Sequence, residues 1–309
     1  MDMYYRSSGK VHASYAVFFI AGLIPVVLLS VLYAIAMYYM PTVYLCFAVT
    51  GAFTVAAAYT AAKTAEWGKV RNAFVGVVAL LIYFAAFTYV HLTAYVAVVF
   101  RDEAAVIDLE WFWLLLRNPS VTLEGFTDWI VPYGVWSFTG GSSSSEGTAV
   151  SGTLLVVIWL IEHCIVLGGS IVLFNVFLRK PFFEDTGRWG TERTCASVWE
   201  HRPEAEFGKI REALEGGRLD YFGALKAADS GGDRFCRLSC WADPFNESRH
   251  VYLTLTNITV TTDKKGNAKT SEDEIVRDLI ISEASYRQLE QMAEEAGKTE
   301  AVEDVAEVE

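Results

Sequence analysis

Three ionisable residues stand in stretches otherwise apolar enough for a bilayer: Glu162 and His163 in one stretch, His91 in another. An ionisable group at membrane depth is costly and as a rule faces a bundle interior, so each marks a candidate site. A carboxylate beside an imidazole at low dielectric can share one proton. With helices alternating in direction, Glu162 lies about ten residues from the outer end of its helix and His91 about nine from that of its own. Both are then roughly 14 Å deep at 1.5 Å per residue, and the two are expected to meet.

The same count brings Ser30 on the first apolar stretch, and Thr50 and Thr54 on the second, into one polar layer. Thr88, His91 and Tyr95 share a helix face at i, i+3, i+7 spacing and extend that layer outward. One reading is a proton or cation relay, or a pocket for a polar ligand. The other is a structural hydrogen bond between helices, worth about 1 kcal/mol. Four spans give few walls for a pore, and no second acidic residue completes a path.

The elements that carry these residues follow from bilayer geometry. Crossing about 30 Å of hydrocarbon takes roughly 20 apolar residues with all backbone hydrogen bonds closed internally. Four stretches qualify: Ala13 to Met40, Thr42 to Ala62, Ala73 to Phe100 and Thr153 to Leu178. Pro25 removes a backbone donor inside the first. Basic residues sit at Arg6 and Lys10, at Lys63, Lys69 and Arg71, and at Arg179, Lys180 and Arg188. Positive charge stays on the inner side, so both termini are expected in the cytoplasm, with the chain in the plasma (inner) membrane.

Composition agrees. The 309 residues are 53% hydrophobic and 20% charged with net charge -12, which excludes a disordered chain, a nucleic-acid binder built on positive charge and a disulfide-stapled secreted module. The charge is uneven: residues 1–178 carry a net -3 and residues 179–309 a net -9. Five cysteines, an odd number, suit a reducing compartment. The expected class is therefore a membrane all-α bundle followed by a small soluble α+β domain. Its parts are an N-terminal tail (1–12), a four-span domain (13–180) with an outer loop (101–150), a juxtamembrane segment (181–202), the cytoplasmic domain (203–297) and a disordered acidic tail (298–309).

The outer loop holds Trp111, Trp113, Trp129 and Trp136, four of nine tryptophans. Amphipathic indoles prefer headgroup level, so a short helix lying flat on the membrane is expected there, and the loop also reads as a lid over the bundle. The run GGSSSSEG over residues 140–147 is a flexible tether. Beyond the fourth span, Phe182, Phe183 and Trp189 among basic residues read as an inner-interface segment.

In the soluble part, Pro203 opens a helix that Gly216 and Gly217 end, and a second helix is expected over Leu219 to Ala228. Alternation then puts Cys236, Leu238 and Cys240 on one strand face and Val251, Leu253 and Leu255 on another. A turn over residues 263–267 leads to a third strand near Ile275 to Ile281, and Ser282 caps a last helix carrying Tyr286, Leu289 and Met292. Cys195, His201, Cys236, Cys240 and His250 are of zinc-ligating types, but the four-residue Cys spacing on a strand is no zinc knuckle, so buried apolar thiols are expected and no metal. No phosphate loop or nucleophile elbow occurs; catalytic residues and cofactors are not expected.

The function expected from these features is binding or sensing through the cytoplasmic module, with the bilayer, a basic protein and further copies of the chain as partners and no nucleic acid. The alternative is a small oligomeric transporter or channel subunit using the Glu162 and His91 layer.

Overall fold

The computed structural model describes residues 3–40, 43–101, 105–134, 137–138, 148–228, 232–263 and 266–306. Two compact units share the chain: residues 8–179, and residues 180–309 together with 1–7. Trp136 and the 140–147 run lie outside the described residues.

The first unit is built on four long helices: α1 (Tyr15–Tyr39), α2 (Val43–Trp67), α3 (Ala73–Val99) and, after the connection, α7 (Gly152–Phe177). All four are long and apolar enough to cross a membrane. Along α1, Val17, Ile20, Ile24, Leu28 and Leu32 form an exposed apolar stripe that only lipid would solvate favourably. The opposite side packs: Val26, Tyr33, Phe53, Leu80, Tyr83 and Phe87 belong to one buried cluster. At Gly22 a Cβ would collide with the Tyr83 hydroxyl, so this glycine permits the close approach of α1 and α3. Asn72 caps α3 by accepting from the Val75 N–H at 3.2 Å. Helix α2 runs past the expected Ala62 to Trp67, and Lys63 and Glu66, three apart, pair at 2.7 Å on its last turn.

The connection folds as α4 (Leu109–Arg117), α5 (Pro119–Glu124), a π-helical turn at Gly125–Ile130 and α6 (Val131–Tyr133), followed by the two-residue strands β1 (Ser137–Phe138) and β2 (Thr148–Ala149). Asp108 caps α4 at the Trp111 N–H. Phe112 and Leu115 turn into the bundle core while Trp111, Trp113 and Leu114 stay exposed, the split of an amphipathic helix.

In the second unit, β3 (Phe182–Phe183) and β4 (Arg188–Trp189) form a hairpin, and β5 (Thr191–Glu200), β6 (Arg234–Ala242), β7 (His250–Thr262) and β8 (Ala268–Ser282) form an antiparallel sheet in that order. Helices α8 (Phe207–Glu215), α9 (Asp220–Gly223) and α10 (Glu283–Ala306) contribute Ile210, Phe222, Tyr286 and Leu289 to its core, against Trp199, Leu238 and Leu253. Residues Met3 to Tyr5 run along the free edge of β8, bridged to it at Tyr4 and Leu279. The Tyr5 N–H donates to the Asp278 carbonyl and the Ile280 N–H to the Met3 carbonyl, each at 2.8 Å.

Several expectations change. Phe182 and Phe183 are fully buried in this unit rather than exposed to an interface. Strand β5 occupies the segment read as juxtamembrane; its polar run Thr191–Thr194 and a bulge between Thr194 and Val198 broke the alternation that would have announced it. The helix expected over Leu219–Ala228 stops at Gly223, because Lys226 and Ala228 pair back onto β5 through bonds to Glu200 and Val198. Ahead of α8, Glu204–Glu206 forms a 3-10 turn. The last helix continues to Ala306 through residues read as a disordered tail, in keeping with the helix propensity of its Glu and Ala content. The Ser282 cap holds: its hydroxyl accepts from the Ser285 N–H at 3.0 Å.

One buried amide closes the sheet margin. Asn257 accepts from the Arg202 N–H at 3.2 Å and donates to the Arg202 carbonyl at 2.6 Å, doing for the 200–203 bend what a neighbouring strand would do. Asn257→Ala leaves two backbone groups without partners and is expected to cost about 2 kcal/mol. Hydrogen exchange of the Arg202 amide would then quicken more than tenfold.

Candidate functional site

The helix pattern sets the depth of each polar residue, and packing sets what it meets. His91 is 1% exposed and lies in an aromatic enclosure. Its ring stacks on Phe87 at 5.5 Å and on Trp159 at 5.1 Å, while Tyr33 at 4.9 Å and Tyr95 at 6.1 Å meet it edge-on. Both ring nitrogens of His91 lack a hydrogen-bond partner among the described residues. His163 lies 5.6 Å away, ring to ring, with Nδ1 at 2.8 Å from the Trp159 carbonyl one turn back. That bond makes Nδ1 the protonated nitrogen and leaves Nε2 as the acceptor.

Glu162 is 9% exposed. Its carboxylate lies within electrostatic reach of Tyr33, Tyr95 and Cys46, and no hydrogen bond joins it to His91. The layer is therefore shared, but the expected Glu–His pair is not formed in it.

The hydroxyls divide in the same way. Ser30 donates to the Val26 carbonyl at 2.6 Å, Thr50 to Cys46 at 2.9 Å and Thr54 to Thr50 at 2.7 Å, each satisfied on its own helix. Thr50 also meets the Tyr33 hydroxyl at 2.9 Å, the one such bridge from α1 to α2 in the layer among the described residues. Thr88 Oγ1 has no partner among them. Below the layer, a cavity of about 20 Å³ lies between the helices, lined by Val26, Phe53, Phe84, Phe87, Val166 and Ser170 among others. It holds about one water, and its walls are nearly all apolar.

The rings missed from sequence are Tyr33, Phe87 and Trp159, whereas Tyr95 was already expected in the layer. Tyr33 lies three residues after Ser30 and Trp159 four before His163, so helical spacing from known layer members would have found both.

In the second unit the zinc-type residues stay apart. Cys195, Cys236 and Cys240 are buried in the core, where burial pushes the Cys236 and Cys240 thiols up to about 12, far from the thiolate that a metal needs. No three His, Cys, Asp or Glu side chains converge among the described residues. His250 instead joins a surface network: Ser248 Oγ donates to Asp185 at 2.9 Å and meets His250 Nδ1 at 3.2 Å, and His250 Nε2 meets the Tyr252 hydroxyl at 3.2 Å. Tyr5 packs on Tyr252 at 4.9 Å and accepts from the Phe182 N–H.

Beside that network, Asp243 organises a turn. Burial opposes its charge, but the Glu247 N–H, the Thr186 hydroxyl, the Phe245 N–H and Arg188 outweigh burial and hold the carboxyl below the usual carboxylate range. A carboxyl lowered by folding stabilises the fold above its unfolded pKa and loses that contribution as pH falls through its folded one. The turn is expected to stay fixed at neutral pH and to loosen only below about pH 4, where an unfolded Asp takes up its proton. Asp243→Asn should loosen it at pH 7 and remove the acid step, read by hydrogen exchange over 243–247.

No protein-family model matches the chain, and no curated protein or solved structure matches it.

Proposed function

We propose that the chain is a membrane-anchored binding or sensing protein that acts through its soluble α+β unit, with the four-helix unit as its anchor. One observation carries this choice over conduction: the polar layer is closed by aromatic rings, and the cavity beneath it is apolar and about one water in size. A proton or ion path needs a continuous run of water or exchangeable groups, and the layer's hydroxyls bond mainly back to their own helices. The partner is a basic protein surface, suited to a half of the chain with net charge -9. We place both termini in the cytoplasm at the inner membrane. The basic residues flanking the spans favour that orientation, and it fits residues 1–7 and 180–309 forming one compact unit.

In liposomes loaded with a pH-reporting dye, the wild-type chain is expected to leak protons no faster than empty liposomes, and Glu162→Gln to change nothing. A flux that depends on Glu162 overturns the reading. It would establish the alternative, a small oligomeric transporter or channel subunit, which the two nitrogens of His91, without a partner among the described residues, favour.

A further inference from the structure

The most exposed aromatic side chain described in the soluble unit is Phe245, at 69%. It sits at the tip of a tight turn in which the Asn246 N–H donates to the Asp243 carbonyl at 3.0 Å. Asn246 adopts a left-handed backbone at φ 58°, and Arg193 bonds its side chain. The buried Asp243 carboxylate ties down the N–H groups of Phe245 and Glu247 and the Thr186 hydroxyl. Arg188 lies over the Phe245 ring at 4.5 Å and pairs with Glu247 at 2.8 Å. A turn fixed at so many points holds a bare aromatic ring in water, where it gains nothing from folding.

Two observations identify what covers it. The first is continuity with the membrane: Arg188 belongs to the β3–β4 hairpin, whose base is closed by the Gly190 N–H on the Pro181 carbonyl at 2.8 Å, and Pro181 is three residues beyond Leu178, where the fourth span ends. The second is charge. Arg188 pairs with Asp243 and Glu247 and Arg193 pairs with Glu283, so the carboxylates nearest the ring have cationic partners that lessen the repulsion at an anionic headgroup surface, with Asp185 beside Ser248 standing outside these arginine pairs. An aromatic ring beside arginine is the pairing that headgroup level favours.

We propose that the 243–247 turn is a lipid-docking tip, with Phe245 entering the headgroup region of the leaflet from which the fourth span emerges. The proposal rests on the four helices spanning a membrane and not on the identity of any protein partner. The turn then holds the soluble unit against the bilayer by a second, reversible attachment besides its covalent ones.

The test uses the full chain in vesicles of phosphatidylcholine, with and without phosphatidylserine, carrying lipids spin-labelled near the headgroup. Cys164, the exposed native thiol, is replaced by Ser, and an environment-sensitive fluorophore is attached through Phe245→Cys or, as a solvent reference, through Ser271→Cys on exposed β8. The probe at 245 is expected to emit to the blue of the probe at 271 and to be quenched by the labelled lipid. Equal emission and equal lack of quenching at the two positions overturns the proposal and leaves the ring for a protein surface. A second measurement keeps the native ring: in nanodiscs, Phe245→Asp is expected to reduce the docked population relative to the undocked by about tenfold or more, the change implied by losing the insertion of one aromatic side chain. Exchange over 182–190 and 243–249 would quicken accordingly. Unchanged exchange in the variant overturns the proposal. Proton leak and insertion of the spans are separate readouts, so failure here is distinguishable from failure of the anchor reading.

Discussion

Replacing His91 by Phe raises the unfolding temperature of the four-helix unit. A neutral imidazole carries one donor and one acceptor, and inside the enclosure of Phe87, Trp159, Tyr33 and Tyr95 neither has a partner among the described residues. Leaving such groups unmade costs about 1–3 kcal/mol, whereas a phenyl ring keeps the two stacking contacts and needs no bond. Against this stands some overpacking, since the six-membered ring is the larger. The net gain is expected to be roughly 2–6 °C for a unit of this size.

His91→Ala should act in the opposite sense. It deletes the ring from a packed site and is expected to cost about 2–4 kcal/mol through the space it leaves. The pair of variants therefore separates two roles for one side chain. If the phenyl variant melts lower than the wild type in detergent, the imidazole nitrogens are partnered in the folded protein by a water or a small ligand, and the layer is more than packing.

Trp199→Ala is expected to unfold the α+β unit while sparing the four long helices. Trp199 is fully buried on β5, 5.6 Å ring to ring from Phe222 and in the core cluster with Ile210, Cys236 and Leu238. Large-to-small changes at such aromatic positions cost about 3–5 kcal/mol, a large share of the 5–15 kcal/mol that holds a domain together. Exchange protection in β5, β6 and β7 should fall by orders of magnitude, while α1, α2, α3 and α7 keep theirs. Trp199→Phe is the informative control. The indole N–H has no acceptor among the described residues, so the variant discards an unpaired donor along with some volume, and the two effects offset to within about 1.5 kcal/mol. A large loss in that variant would mean the indole nitrogen has a partner.

How much of this was legible in the sequence follows from which forces act locally. The four long helices were, because a bilayer imposes length and apolarity on every residue of a span. Sequence gives a residue's depth along a helix directly, but its direction around the helix only relative to its own neighbours. So Glu162, His91, Thr50 and Tyr95 were placed in one layer, while the rings of Tyr33 and Trp159 that stand against His91 were not foreseen. The hydroxyls of Ser30 and Thr54 bond within their own helices, a local option that composition does not distinguish from a bond across the bundle. In the soluble part, β6 and β7 alternate cleanly and were readable; β5 is interrupted by its bulge and was not. The pairing of Tyr4 with Leu279 joins opposite ends of the sequence, beyond the reach of any window.

That last pairing sets an order of events during synthesis. The segment Met3 to Tyr5 is synthesised before the four long helices, and the Asp278 carbonyl and Ile280 N–H that pair with it are synthesised after them. All four long helices are therefore translated before this edge of the sheet can close. A nascent chain stalled before β8 carries the Met3–Tyr5 segment with no edge to join.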